Sequence, residues 1–355
     1  MDKQKILDSL KDFKKIDRAG MYEVAISFPE MMLGGYGLPL KGSLRSAKKL
    51  KKIVVSGMGG SAIAGDVVAG LFISKLGLPV FVARDYQLPA FVDSETLVIA
   101  LSYSGDTEET LSAALEAIGK KAMVVCVTSG GKLLALAEKN KLPHFLIPGH
   151  YQPRAALPYL LLPILKVLAK LGLYPDLEKD FNEALAVLRQ QQKELGFDVL
   201  AKDNQAKQLA KAIAGKLPII LAASGITEAA AKRLKSQLSE NSKQTSLVSI
   251  FPEMCHNEIV NLAALKRSKH SFCALLLRDE ESPPRLKKRI EITKSLVGGE
   301  LGGIQDVCTQ GKSDLARILS LIYLGDMLSV YLAALLGRDP SEIEVITKLK
   351  RELSR

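Results

Sequence analysis

Two short stretches of the sequence hold side chains whose types and spacing could do chemistry. The first, SGMGGSAIAGD (56–66), follows the apolar run KIVV and sets four glycines and two serines in a short span. The second, ALSYSGDTEET (100–110), ends another apolar run and places Ser102, Ser104 and Thr107 around one glycine. Each reads as a strand, a turn and the start of a helix, so each offers free backbone N–H groups and a positive dipole end to an anion. Together with Ser61, the three hydroxyls can bind the oxygens of one phosphate. Neither turn holds a lysine, and G-x-x-x-x-G-K-[ST] is absent, which argues against nucleoside triphosphate hydrolysis.

Two other readings stay open on these residues alone. GMGGSA (57–62) fits G-x-G-x-x-G/A directly after a strand, and Asp85 follows the next strand where a ribose contact would be expected. That pattern also suits an NAD-dependent dehydrogenase. Alternatively, Ser104 and Asp106 only cap a helix that begins near Thr107. A dinucleotide site has no need of the second hydroxyl-rich turn, and the pair of turns favours phosphate.

The elements that must hold these turns are legible as apolar runs separated by helical patterns. KIVVS (52–56), PVFVA (79–83), TLVIALS (96–102), MVVCVT (123–128) and PHFLI (143–147) form one series. PIILAAS (218–224), SLVSIF (246–251), HSFCALLL (270–277) and IQDVC (304–308) form another. Continuous apolar strands alternating with helices predict parallel sheets buried on both faces. LEKDFNEALAVLRQQQKEL (177–195) has helical periodicity without turn residues and predicts a helical bridge between two halves. The chain reads as duplicated: KIVVSG (52–57) and PIILAASG (218–225) both run into an alanine-rich helix, and only the first copy carries Gly-Gly-Ser.

Composition sets outer limits. At 355 residues, with 47% hydrophobic and 25% charged residues, the chain has the make-up of an ordinary two-domain globular protein. The net charge of +11 is spread over short groups such as KKLKK (48–52) and RLKKR (285–289) without interleaved aromatics. This fits solvated faces that draw in a small anionic substrate better than a nucleic-acid surface. The amino terminus lacks the unbroken apolar core of a signal peptide. The most apolar stretch noted, 155–173, is broken by Pro158, Pro163, Lys166 and Lys170 and reads as a buried helix, with no membrane span expected. Four separated cysteines, Cys126, Cys255, Cys273 and Cys308, form no CxxC and suit a reducing, cytoplasmic setting. The four histidines are scattered, and no metal site is expected.

The pair SGMGGSAIAGD and SYSGDTEET resembles the sugar isomerase (SIS) domain, which holds phosphosugars in such serine-rich turns. QPRAALPYLLLP (152–163), QLSENSKQ (237–244), FPEMCHNEIV (251–260) and LGRDPSEIEVITKLKREL (336–353) look more specifically like the bifunctional phosphoglucose/phosphomannose isomerase family. The resemblance implies an α/β fold of two SIS-type subdomains, each a parallel sheet flanked by helices. Residues 1–195 would form the subdomain with the phosphate turns and a helical linker. Residues 196–355 would form the second, with the catalytic glutamate, histidine and C-terminal helix.

The implied activity is aldose-ketose isomerisation of hexose 6-phosphates, without cofactor or metal. By the same resemblance, Gly60, Ser61, Ser102, Ser104 and Thr107 bind the substrate phosphate. Glu240 is the base that moves the C2 proton, His256 opens the sugar ring, Arg154 stabilises the enediolate, and Lys350 enters the active site. A homodimer with the site near the interface and the histidine supplied across it is implied, with no nucleic-acid or membrane partner. Three departures stand out. Asp106 occupies a place where asparagine is commoner and adds negative charge near the phosphate; Cys255 replaces asparagine beside the histidine; Ile343 and Glu344 replace smaller residues in the tail. Rival classes are a non-catalytic SIS regulator that binds sugar phosphates, a metal-dependent phosphosugar isomerase and the dehydrogenase.

Overall fold

The computed structural model describes residues 3–265 and 271–353. From the amino end, α1 (Leu10–Ile16), α2 (Met21–Ile26) and α3 (Phe28–Gly37) precede the first strand. Strands and helices then alternate: β1 (Lys52–Ser56), α4 (Gly59–Phe72), β2 (Val80–Ala83), β3 (Thr96–Leu101), α5 (Glu108–Gly119), β4 (Met123–Thr128), α6 (Gly131–Lys139) and β5 (His144–Leu146). Next come α7 (Leu157–Lys170), α8 (Leu177–Leu195) and α9 (Gln205–Ile213). A second alternation follows: β6 (Leu217–Ala223), α10 (Ile226–Glu240), β7 (Leu247–Phe251), α11 (Glu258–Ala263), β8 (Phe272–Arg278), α12 (Pro284–Val297) and β9 (Ile304–Cys308). The last helices are α13 (Asp314–Leu335) and α14 (Glu344–Leu353). Each strand expected from the sequence is present; His270, the first residue of HSFCALLL, lies outside the described residues.

The chain divides into two compact units. One comprises Ser27–Leu188 and Gly311–Leu319; the other comprises Met1–Ile26, Arg189–Gln310 and Ser320–Arg355. This division differs from the contiguous 1–195 and 196–355 halves of the sequence reading. The amino-terminal helices cluster with the second half, because Phe13 and Tyr22 pack edge to face on Phe197 and against Tyr331. Lys207, fully buried, sits over the Phe197 and Tyr331 rings and donates to the carbonyls of Phe197 and Val199.

In the first unit five parallel strands stand in the order β2-β1-β3-β4-β5. Every residue of β3 and β4 is buried, as strands covered on both faces must be. Val54, Val98, Ala100, Ala113, Ala117, Val124 and Leu133 join one core on one face of this sheet. Gly65 of α4 carries no side chain where a Cβ would lie about 3.0 Å from Val55 and 3.1 Å from Val82, so α4 sits tight on β1 and β2. Burial lifts the Cys126 thiol to about 12, which keeps it protonated in this core.

The other unit repeats the topology with one strand fewer, in the order β7-β6-β8-β9, again all parallel. The repeated order, second-first-third-fourth, gives the duplication seen in sequence a structural counterpart. Asp326 of α13 accepts two bonds from Arg233 of α10, 2.9 and 2.5 Å, and one from Gln237, 2.9 Å, all buried. Asn241 donates to Ser329 at 2.9 Å just beyond the end of α10. α13 is long and apolar enough to cross a membrane, and its most apolar window is entirely buried. The sequence reading passed over it in favour of 155–173, whose helical part, α7, is also buried and begins only at Leu157 after a 3-10 turn at Pro153–Ala155.

Candidate active site

An open parallel sheet binds ligands beyond the carboxyl ends of its strands, where the strand order reverses. In the order β2-β1-β3-β4-β5 that point lies between β1 and β3, and the two turns singled out in the sequence follow these two strands. They are in contact: a Cβ on Gly57 would lie 3.0 Å from the Leu101 carbonyl and 3.1 Å from the Ser61 Cβ.

In the first turn, Gly59 takes φ +50 and α4 starts from Met58, which contributes no side-chain cap. Ser61, in the first turn of the helix, is only 4% exposed. The first backbone N–H groups of α4 therefore have no side-chain cap at Met58 to accept them.

The second turn is more tightly wired. Ser102 donates to the Thr107 hydroxyl at 2.8 Å and accepts the backbone N–H of Gly105 at 3.0 Å and of Thr107 at 3.4 Å. Ser102 therefore shapes the turn, which leaves the Thr107 hydroxyl hydrogen, Ser104 and the α5 terminus to face a ligand. Ser104 is exposed and accepts the Asp106 N–H at 3.3 Å. Thr107 is the N-cap of α5 without making a side-chain cap bond. The sequence reading put the Asp106 charge beside the phosphate. Its carboxylate accepts the Lys132 N–H at 3.1 Å, capping α6 across the adjacent turn.

Close backbone approach makes this possible. Gly105, at φ +80, has the Gly130 carbonyl 1.8 Å from where a Cβ would be, and Gly131, at φ +65, would meet the Ser104 carbonyl at 2.6 Å. Gly60 has the same function on the other side. A Cβ there would lie 2.9 Å from the Pro153 carbonyl and about 3.0 Å from the Arg154 backbone. Arg154, 3% exposed, is thus seated against the first turn, and its guanidinium donates to Gln152 at 3.4 Å.

Gly60, Ser61, Ser102, Ser104, Thr107 and Arg154 are thereby gathered at one edge of one sheet. Glu240, His256 and Lys350 belong to the other unit. Glu240 is the last residue of α10 and half-buried. A carboxylate there faces the negative end of the helix dipole, so helix stability does not account for it. His256 ends a 3-10 turn after β7 and is exposed. α10 runs back against the strand direction before β7 begins, so Glu240 lies where β7 starts and His256 where it ends. The five residues of β7 extend roughly 16 Å at about 3.3 Å each, which puts the two residues at opposite ends of that strand. Lys350 lies on α14, and its side chain is outside the described residues. The sequence reading missed Tyr103, whose hydroxyl bonds Pro148 and Tyr151 across the chain.

Two parallel-sheet units, the first with two adjoining glycine- and hydroxyl-bearing turns at its switch point, fit a protein of the SIS class. Residues 46–142 match the SIS domain, and residues 202–353 match the bacterial phospho-glucose isomerase C-terminal SIS domain. The chain belongs to the bifunctional phosphoglucose/phosphomannose isomerase family. It is 42% identical over 335 residues to the protein of that name from Caldicellulosiruptor bescii, covering 94% of this chain and 99% of the relative. It is also 30% identical over 305 residues to the D-glucosamine-6-phosphate 4-epimerase of Sulfolobus acidocaldarius, covering 85% of this chain and 89% of that one. In fold it is similar to a glucose-6-phosphate isomerase like protein from Thermus thermophilus, with TM-score 0.64 at 21% identity over 97% of this chain and 98% of that one.

The cap across the two turns is testable by stability. Asp106→Ala is expected to lower the free energy of unfolding by about 1 kcal/mol, the usual cost of losing a helix cap. Asp106→Asn, which keeps an acceptor, should lose well under half of that. Equal losses in urea denaturation would show that charge, and not the cap, is what matters.

Proposed function

We propose that the protein interconverts glucose 6-phosphate, and mannose 6-phosphate, with fructose 6-phosphate through an enediolate, using neither metal nor cofactor. The observation that carries this reading is the 42% identity, over nearly the whole chain, to a bifunctional phosphoglucose/phosphomannose isomerase. Ser61 in the first turn of α4 and the two helix termini without a side-chain cap support phosphate as the anchored group.

In this reading Gly60, Ser61, Ser104 and Thr107 hold the phosphate while Ser102 keeps their turn in shape. His256 opens the sugar ring, exchanging a proton with the ring oxygen near neutrality. Glu240 takes the proton from C2 and returns it to C1, which needs one carboxylate on one face of the chain. Negative charge then grows on the oxygens at C1 and C2, where the fixed charge of Arg154 lowers the barrier without needing a proton of its own. Lys350 adds a second cation. The two aldoses differ only at C2 and lose that difference in the enediolate, so one base serves both. The reaction belongs to glycolysis and gluconeogenesis in the cytoplasm, and the separated cysteines, all free among the described residues, support a reducing compartment.

The separation of Glu240 and His256 along β7 supports a homodimer in which one copy supplies the histidine to its partner's site. The rival outcomes are a regulator that binds sugar phosphates without turnover and an epimerase acting at C4.

A coupled assay with chelator present is expected to detect fructose 6-phosphate from both aldoses. Glu240→Gln should lose on the order of a hundredfold or more in kcat, the scale for removing a general base. Full activity in that variant refutes the base assignment; binding without turnover in the wild type refutes catalysis. The dimer has its own test. Glu240→Gln and His256→Ala, each weakly active, should regain up to roughly a quarter of wild-type activity when unfolded, mixed and refolded, because half of randomly paired dimers carry one intact site. No recovery from mixed refolding, with dimers formed, places both groups in one chain's site.

A further inference from the structure

Tyr103 sits between Ser102 and Ser104 in the second turn. It is 7% exposed, and its phenol oxygen makes two bonds: it donates to the Pro148 carbonyl at 2.9 Å and accepts the Tyr151 N–H at 2.8 Å. Its own carbonyl is fixed in turn, accepting the N–H of Ser129 at 3.0 Å and the Ser129 hydroxyl at 2.6 Å. Pro148 and Tyr151 bracket the bend at Gly149 and His150, and His150 takes φ +66, a left-handed conformation uncommon for a residue with a Cβ. The same segment runs on to Pro153 and Arg154, whose backbone rests on Gly60. The segment 148–154 is therefore pinned at two points, and each pin belongs to one of the two phosphate turns.

We propose that Tyr103 is a positioning residue for Arg154: its hydroxyl sets the segment that carries the guanidinium, so that the group binding the phosphate also fixes the group that meets the enediolate. This rests on the isomerase reading above. The design suits the chemistry, because the phosphate and the reacting carbons lie at opposite ends of one sugar. A cation displaced by about 1 Å from its place can cost as much as a hundredfold in rate. Phosphate affinity would be left alone, since the hydroxyls and helix termini that provide it do not depend on the phenol oxygen.

Tyr103→Phe removes that oxygen and keeps the ring. The expected result is a kcat lower by roughly tenfold, with KM and competitive inhibition by inorganic phosphate within about twofold of wild type, the pattern of an interaction lost only in the transition state. Arg154→Lys combined with Tyr103→Phe should be no slower than Arg154→Lys alone, since a residue acting through Arg154 has nothing further to remove. Amide exchange read by mass spectrometry should speed up across 149–154 while 102–107 stays protected, and this readout needs no turnover. An unchanged exchange rate at 149–154, multiplicative losses in the double variant, or a KM that rises as kcat falls each overturns the proposal. A wild type that converts no hexose 6-phosphate defeats the isomerase reading instead, and the exchange measurement then still decides whether Tyr103 holds the segment.

Discussion

Holding a phosphate dianion in turns that contain no lysine demands several neutral donors fixed in place before the ligand arrives. In the phosphate site proposed for this fold, the demand would be met by how closely three backbone segments approach one another at the carboxyl ends of β1 and β3. Gly105 and Gly131 let the second turn lie against the loop after β4, and Gly60 lets the Arg154 segment lie against the first turn. A Cβ at any of these positions would enter a neighbouring backbone atom's space and push the segments apart. Asp106 closes the arrangement by directing its carboxylate to α6, and the basic net charge of +11 favours the approach of an anion.

The duplicated half diverges where this constraint is lifted. At the equivalent turn after β6, the buried Thr227 hydroxyl bonds both the N–H and the C=O of Ala223, each at 2.8 Å, so the local polar groups satisfy one another. The helix that follows, α10, is tied to α13 by Arg233, Gln237 and Asp326, and this network sets where its last residue, Glu240, stands. Removing one partner of such a buried pair would leave a bare charge in the core, so the network resists drift. In the proposed reading one copy of the fold is the cradle, and the other a rigid mount for the acid-base group.

Much of the fold was legible because each strand is an unbroken apolar run bounded by turn residues, and α8 coincides with the predicted helix at 177–195. What escaped depends on contacts between distant residues. The amino-terminal helices group with the second half through Phe13 and Tyr22 on Phe197 and Tyr331, a pairing no spacing rule reveals. Tyr103 reads as one more aromatic within SYSGD, since its partners lie 45 and 48 residues away. Asp106 reads as a local cap because its true partner is in the next βα turn. Glu240 and His256 sit sixteen residues apart and look like neighbours; a strand running between them separates what sequence distance alone would join. Their roles came from family resemblance alone, as a glutamate ending a lysine-rich helix and an exposed histidine carry no signature of their own.

The most direct measurement is proton NMR of each aldose 6-phosphate incubated with the protein in deuterium oxide. An enediolate formed by a single exchanging base should place deuterium at C2 of glucose 6-phosphate and mannose 6-phosphate and at C1 of fructose 6-phosphate, with Glu240→Gln abolishing the exchange. Retention of the C2 proton in both aldoses, or chemistry confined to C4, would contradict an isomerase built on Glu240.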